Sequence, residues 1–166
     1  SNNSDDLKTA YDAIGDTSDG ETDTIVVDGS IDTGTALDVT GTDDLVIRSA
    51  SGKFPTIDMN DVSGTAISTS SDVNITIRGV AVVGSNTNDL IDVSSLTSKS
   101  TIQVENSSLN VPSDDSTSTF AVKTNAAGSA EGAHVSFNNV TVRQTTDSGN
   151  PDLATSSTEA AGIRGY

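Results

Sequence analysis

The chain has 166 residues, a formal net charge of −16 from 8 Lys plus Arg against 24 Asp plus Glu, and no cysteine. Disulfides and thiolate metal sites are excluded outright, and a field of this sign repels phosphates, which removes nucleic acid as a partner. No stretch approaches the roughly 20 apolar residues of a membrane span, so membrane insertion is not expected, and the length fits one domain.

In chain order, Leu7, Ala10, Tyr11 and Ile14 fall at i, i+3, i+4 and i+7. That spacing predicts a short amphipathic helix, with Asp5 and Asp6 suited to its N-terminal dipole and Gly15 to its stop. An acidic loop follows at 16–23. Its Asp16, Asp19 and Asp23 offer oxygen ligands for a hard cation such as Ca²⁺, although the loop lacks the alternating Asp pattern and closing Glu of a calcium-loop motif. A solvated turn joining helix to strand is the alternative. No other cofactor is expected.

From residue 24 onward the chain repeats itself. The segments 45–49 (LVIRS), 75–79 (ITIRG), 102–106 (IQVEN) and 135–139 (VSFNN) share columns at offsets of 30, 27 and 33 residues. Apolar side chains hold columns one and three while small or polar ones hold column two, the period of a strand buried on one face. A second strand starts directly after the last three, at 80–83, 108–111 and 140–143. A third, weaker strand precedes each of the four, at 36–39, 66–69, 90–93 and 120–123. Three strands per repeat make one coil of a solenoid, which buries its apolar face only by stacking on its neighbours.

These columns resemble the right-handed parallel β-helices of the pectin-lyase-like superfamily. The expected fold is all-β: a right-handed parallel β-helix (solenoid) of about five coils, with residues 1–23 as capping helix and acidic loop and 24–166 as a single β-helical domain. An earlier, shorter coil fits if 25–29 (IVVDG) takes the same columns 20 residues before Leu45. The fourth column would then read Asp28, Arg48, Arg78, Glu105, Asn138, with opposite charges meeting at Asp28 and Arg48 and at Arg78 and Glu105. The fifth column, Gly29, Ser49, Gly79, Asn106 and Asn139, holds residues that tolerate tight or left-handed turns and marks a corner. Connections at 53–56, 113–119, 125–132 and 145–158 are rich in small polar residues and read as loops leaving the corners.

Sites are sparse. The resemblance implies a carboxylate cluster holding Ca²⁺ and a basic residue as proton acceptor, a position open to Arg48 or Arg78, but Val46, Thr76, Gln103 and Ser136 fill the neighbouring column. His134, the one histidine, alternates with buried positions and should face solvent. Aromatic residues make up 3% of the chain, leaving Phe54, on a corner loop before Pro55, as the one exposed candidate for a glycan platform, and its ring is expected to tuck over a coil edge instead. Sequons occur at Asn2, Asn74, Asn106 and Asn139, of which Asn2 and Asn74 are the better acceptors for glycosylation. Residues 160–166 look like the first strand of another coil, so Gly162, Ile163, Arg164 and Tyr166 are expected to form an open edge that pairs with another copy or a following module.

The expectation is a non-enzymatic structural or adhesive protein of an extracellular, cell-surface or virion-surface assembly: an appendage, capsid decoration or filament subunit. The expected partners are further copies of itself and, as a second class, a host or cell-surface glycan. The alternative is a fragment or diverged relative of a polysaccharide lyase or glycan-binding β-helix. The carboxylate excess points to a halophilic source of haloarchaeal type, because at about 1 M salt the Debye length is only about 3 Å and self-repulsion is screened. Melting should therefore shift upward between roughly 0.1 M and 1 M salt, and a melting temperature that stays level removes salt adaptation from the reading.

Overall fold

The structure is a computed structural model describing residues 6–14, 20–69, 71–85, 88–94, 100–111, 121–124, 134–144 and 164–165. Among the described residues one helix, α1 (Asp6–Ile14), precedes fifteen strands. The first coil contains β1 (Asp23–Val27), β2 (Ile31–Asp32) and β3 (Leu37–Val39). The second contains β4 (Leu45–Ser49), β5 (Thr56–Asp58) and β6 (Ile67–Thr69), and the third β7 (Ile75–Arg78), β8 (Ala81–Val83) and β9 (Ile91–Val93). The fourth contains β10 (Thr101–Glu105), β11 (Ser108–Val111) and β12 (Val122–Thr124). The fifth adds β13 (His134–Asn138) and β14 (Thr141–Gln144), and β15 (Arg164–Gly165) opens a sixth.

Every strand pair is parallel, and like strands of successive coils are neighbours. The first sheet runs β1-β4-β7-β10-β13-β15, the second β2-β5-β8-β11-β14 and the third β3-β6-β9-β12. This is a parallel β-helix, as the repeats predict. Leu45, Ile75, Ile102 and Val135 are consecutive partners in the first sheet and are 1%, 0%, 0% and 4% exposed. The pile beside them holds Ile25, Ile47, Ile77 and Val104. The second sheet contributes Ile57, Val82 and Leu109, and the third Leu37, Ile67, Ile91 and Val122, all fully enclosed. Burying each such side chain stabilises the fold by about 1.5–3 kcal/mol relative to leaving it in water.

The register of the first coil differs from the sequence expectation. Ile25 sits on Ile47, not on Leu45, so Val26 is the neighbour of Arg48. A shift of two residues keeps the same side chains inward, which is why alternation alone did not distinguish the two alignments. Asp28 lies past the strand and forms its ion pair with Lys53 at 2.9 Å instead. Arg78 and Glu105 do occupy neighbouring rungs, as expected. Glu105 takes its hydrogen bond from the Gln103 amide, and among the described residues no ion pair joins it to Arg78.

The corner between the first and second sheets explains the fifth column. Gly79, Asn106 and Asn139 have φ of 70°, 47° and 53°, the left-handed region that glycine and asparagine tolerate best. Asn139 Nδ2 donates to Asn106 Oδ1 at 2.9 Å, tying the two turns together along the axis. At Gly79 a Cβ would lie 2.5 Å from Ser49 Oγ, so a side chain there would have to displace that hydroxyl as well as adopt φ of 70°.

The helix closes the start of the pile. Leu7 is 1% exposed, and Ala10, Tyr11 and Ile14 pack against the aliphatic core. Tyr11 Oη accepts hydrogen bonds from the backbone N–H groups of Thr40 and Gly41 at 3.2 and 3.0 Å, fixing the helix to the turn after β3. This matches the expected cap and covers strand edges that would otherwise be exposed.

Replacing Ile77 with Ala should cost about 2–5 kcal/mol in urea unfolding, whereas Thr76→Ala on the outer face should cost about 0.5 kcal/mol or less. Equal losses would contradict the facing of β7.

Candidate functional site

Outward side chains form axial rows, one rung per coil. At the start of the first sheet, Asn74 Nδ2 donates to both oxygens of Asp44 at 3.1 and 3.0 Å, and its backbone N–H donates to Asp44 Oδ1 at 2.9 Å. Its Oδ1 then accepts from Thr101 N at 2.8 Å. One side chain thus bridges three coils. The amide nitrogen that glycosylation would use at Asn74 is engaged with a carboxylate, and Asn2 lies outside the described residues.

The third sheet carries a row the sequence reading did not single out: Asp38, Ser68, Asp92 and Lys123. Ser68 Oγ donates to Asp38 Oδ1 at 3.1 Å, and Lys123 Nζ contacts Asp92 and Asp89 at 3.2 and 3.1 Å. The signal lay in the middle residues of four three-residue strands, too short for alternation to stand out. Asp38, Ser68, Asp92 and Ser94 border an open groove of ≈ 390 Å³.

Burial alone would raise the Asp92 carboxyl, but hydrogen bonds from Ser94 and the Lys123 ammonium outweigh it and hold the group below its usual range. Ser94 N donates to Asp92 Oδ1 at 2.8 Å. Lys123 is raised, first by its hydrogen bond to Asp89, against the opposing effect of burial, with Asp92 adding to the rise. Asp92, depressed in the folded state, contributes stability above the carboxylate range that is lost as pH falls through its folded pKa. Lys123, raised, contributes stability below the ordinary lysine range that is lost as pH rises through its folded pKa.

A second groove, of ≈ 430 Å³, lies at the corner of the first two sheets between Phe54, Ala81, Asn106, Asn139 and Arg143. Phe54 is 56% exposed on the connection before β5, so it is not tucked over a coil edge, contrary to the expectation. His134 is exposed at the start of β13 beside Thr101, as expected.

Of the candidate cation ligands, Asp23 stands in β1 as the partner of Leu45, while Asp16 and Asp19 lie outside the described residues. Among the described residues no group of three His, Cys, Asp or Glu is arranged to hold a metal ion, and no helix is long and apolar enough to cross a membrane. At the other end, β15 pairs with β13 by placing Arg164 on Ser136 and Gly165 on Phe137. Gly162, Ile163 and Tyr166 lie outside the described residues. Arg48 and Arg78 are direct neighbours on the first sheet's outer face, with Val46, Thr76 and Gln103 in the column beside them.

No family model, curated protein or solved structure matches this chain. The chemistry of the faces therefore follows from their own groups. Hydroxyls, amides and carboxylates are set at one-coil intervals, several of them bonded to the next rung. Such rows can stiffen a rod and present repeating polar contacts. Among the described residues these rows do not converge a nucleophile, a base and an oxyanion donor on one point.

Replacing Asp92 with Asn should flatten the loss of stability below about pH 4 while leaving the neutral-pH fold intact. Unfolding by urea at neutral and acid pH reads this directly, and an unchanged pH dependence would contradict the role assigned to Asp92.

Proposed function

We propose that this protein is a non-enzymatic structural or adhesive subunit of an extracellular, cell-surface or virion-surface assembly, adapted to high salt. The observation that carries the reading is the rung-to-rung commitment of its outward polar groups. Asp44, Asn74 and Thr101, Asp38 and Ser68, and Asn106 and Asn139 bond along the axis. A site for chemistry needs groups held in reserve and aimed at a common point; these are spent on joining coils. The net charge of −16 supports a strongly hydrated surface in concentrated salt.

The groove bounded by Asp38, Ser68, Asp92 and Ser94 favours a second reading, a diverged relative of the pectin-lyase-like polysaccharide enzymes or glycan-binding β-helices. Its carboxylates and hydroxyls are suited to hydrogen bonding with sugar hydroxyls. That reading rests on architecture and groove lining, and fold alone carries no activity.

Incubation with neutral and acidic polysaccharides should release no new reducing ends and no unsaturated uronate. Release that disappears on Arg48→Ala or Arg78→Ala would replace the structural reading with the enzymatic one.

A further inference from the structure

Two pairs of like charges stand on neighbouring coils and form no ion pair among the described residues, although Glu105 occupies the rung beyond Arg78. Arg48 is the register partner of Arg78 in the first sheet, and Asp32 is the register partner of Asp58 in the second. Like charges directly opposite one another are destabilising. Among the described residues neither guanidinium forms an ion pair; Arg48 Nη1 donates only to Ser49 O at 3.4 Å. Asp32 and Asp58 likewise form no ion pair there, with Asp58 Oδ1 accepting from Asn60 N at 3.1 Å.

The surroundings of the two pairs differ as two sides of a contact should. Outward rungs of β1, β4 and β7 carry Thr24, Val26, Val46, Arg48, Thr76 and Arg78, a strip without a carboxylate in a chain of charge −16. Val26 is 47% exposed beside Arg48. Both pairs are separated by one coil, so each repeats at the same spacing of about 4.8 Å. Arginine and apolar side chains at the centre of a flat face are the composition of a protein contact, and charge complementarity fixes its register.

We propose that the β1-β4-β7 face of one molecule docks side by side on the β2-β5 face of a second copy, with Arg48 and Arg78 meeting Asp32 and Asp58. The inference rests on the reading of the protein as an assembly subunit and names its partner. The two faces are different patches, so the contact is heterologous: a docked pair keeps one free face of each kind, and assembly continues into a chain or closes into a ring. Partly desolvated contact pairs are screened less than exposed charges, which lets the contact operate in salt.

Sedimentation of the full chain across a concentration series tests this. The wild-type chain should associate, while R48E/R78E and D32R/D58R should each associate at least ~100-fold more weakly, because each then opposes like charges across the contact. An equimolar mixture of the two variants should recover assembly, since every face again meets its opposite. Circular dichroism and melting establish that the variants fold. If one does not, R48Q/R78Q and D32N/D58N should each weaken association at least ~10-fold. A monomeric wild type, variants that assemble unchanged or a mixture that stays apart would overturn the contact. Assembly indifferent to these variants leaves the structural role standing, whereas polysaccharide cleavage removes that role independently.

Discussion

Parallel register between coils is the constraint on which the rest of the molecule depends. Each aliphatic pile is assembled from residues that belong to different repeats, and no single coil encloses its own Ile, Val and Leu side chains. The backbone ladder sets the rise and the side-chain alternation sets which atoms face inward, so fixing one rung fixes its neighbours. With a 33% hydrophobic fraction the chain has enough apolar side chains for thin rows and few to spare. Helix α1 completes the enclosure at the first coil by placing Leu7 on the pile and by anchoring Tyr11 to the turn beyond β3.

The same periodicity organises the outside. Because each coil repeats the last, an outward polar residue finds a polar residue one rise above or below it, and hydrogen bonds form along the axis. Thr69 shows the principle at a buried corner, where its Oγ1 donates to Val39 O of the preceding coil at 2.8 Å. Where like charges stack instead, as at Arg48 and Arg78, the arrangement costs the fold stability.

The fold was readable because two independent signals agreed: period-two alternation within strands and recurrence of whole columns between them. The shared columns stack Leu45, Ile75, Ile102 and Val135 on one another, and the sheet register does the same. The first coil was misaligned because Ile25 and Val27 are both inward-facing, and a slip of two residues conserves every facing that the pattern can detect. Asp28 therefore went to the wrong neighbour. Asp38, Ser68, Asp92 and Lys123 escaped notice for a different reason: strands of three residues carry one outward side chain each, and a row built from single positions appears only when the coils are stacked. The left-handed turns at Gly79, Asn106 and Asn139 were legible from residue type, but the amide contact between the two asparagines requires three-dimensional proximity across 33 positions of chain.

Connections between the same two sheets vary in length while the strands they join remain in step. Between β4 and β5 the chain makes a six-residue excursion through Gly52 and Phe54, whereas β7 passes to β8 through Gly79 and Val80 alone, and both arrivals land in register at Thr56 and Ala81. Decoration and scaffold are thus mechanically decoupled: new peptide can be spliced into an excursion, altering girth and surface chemistry, without retuning the pitch of the spiral beneath it.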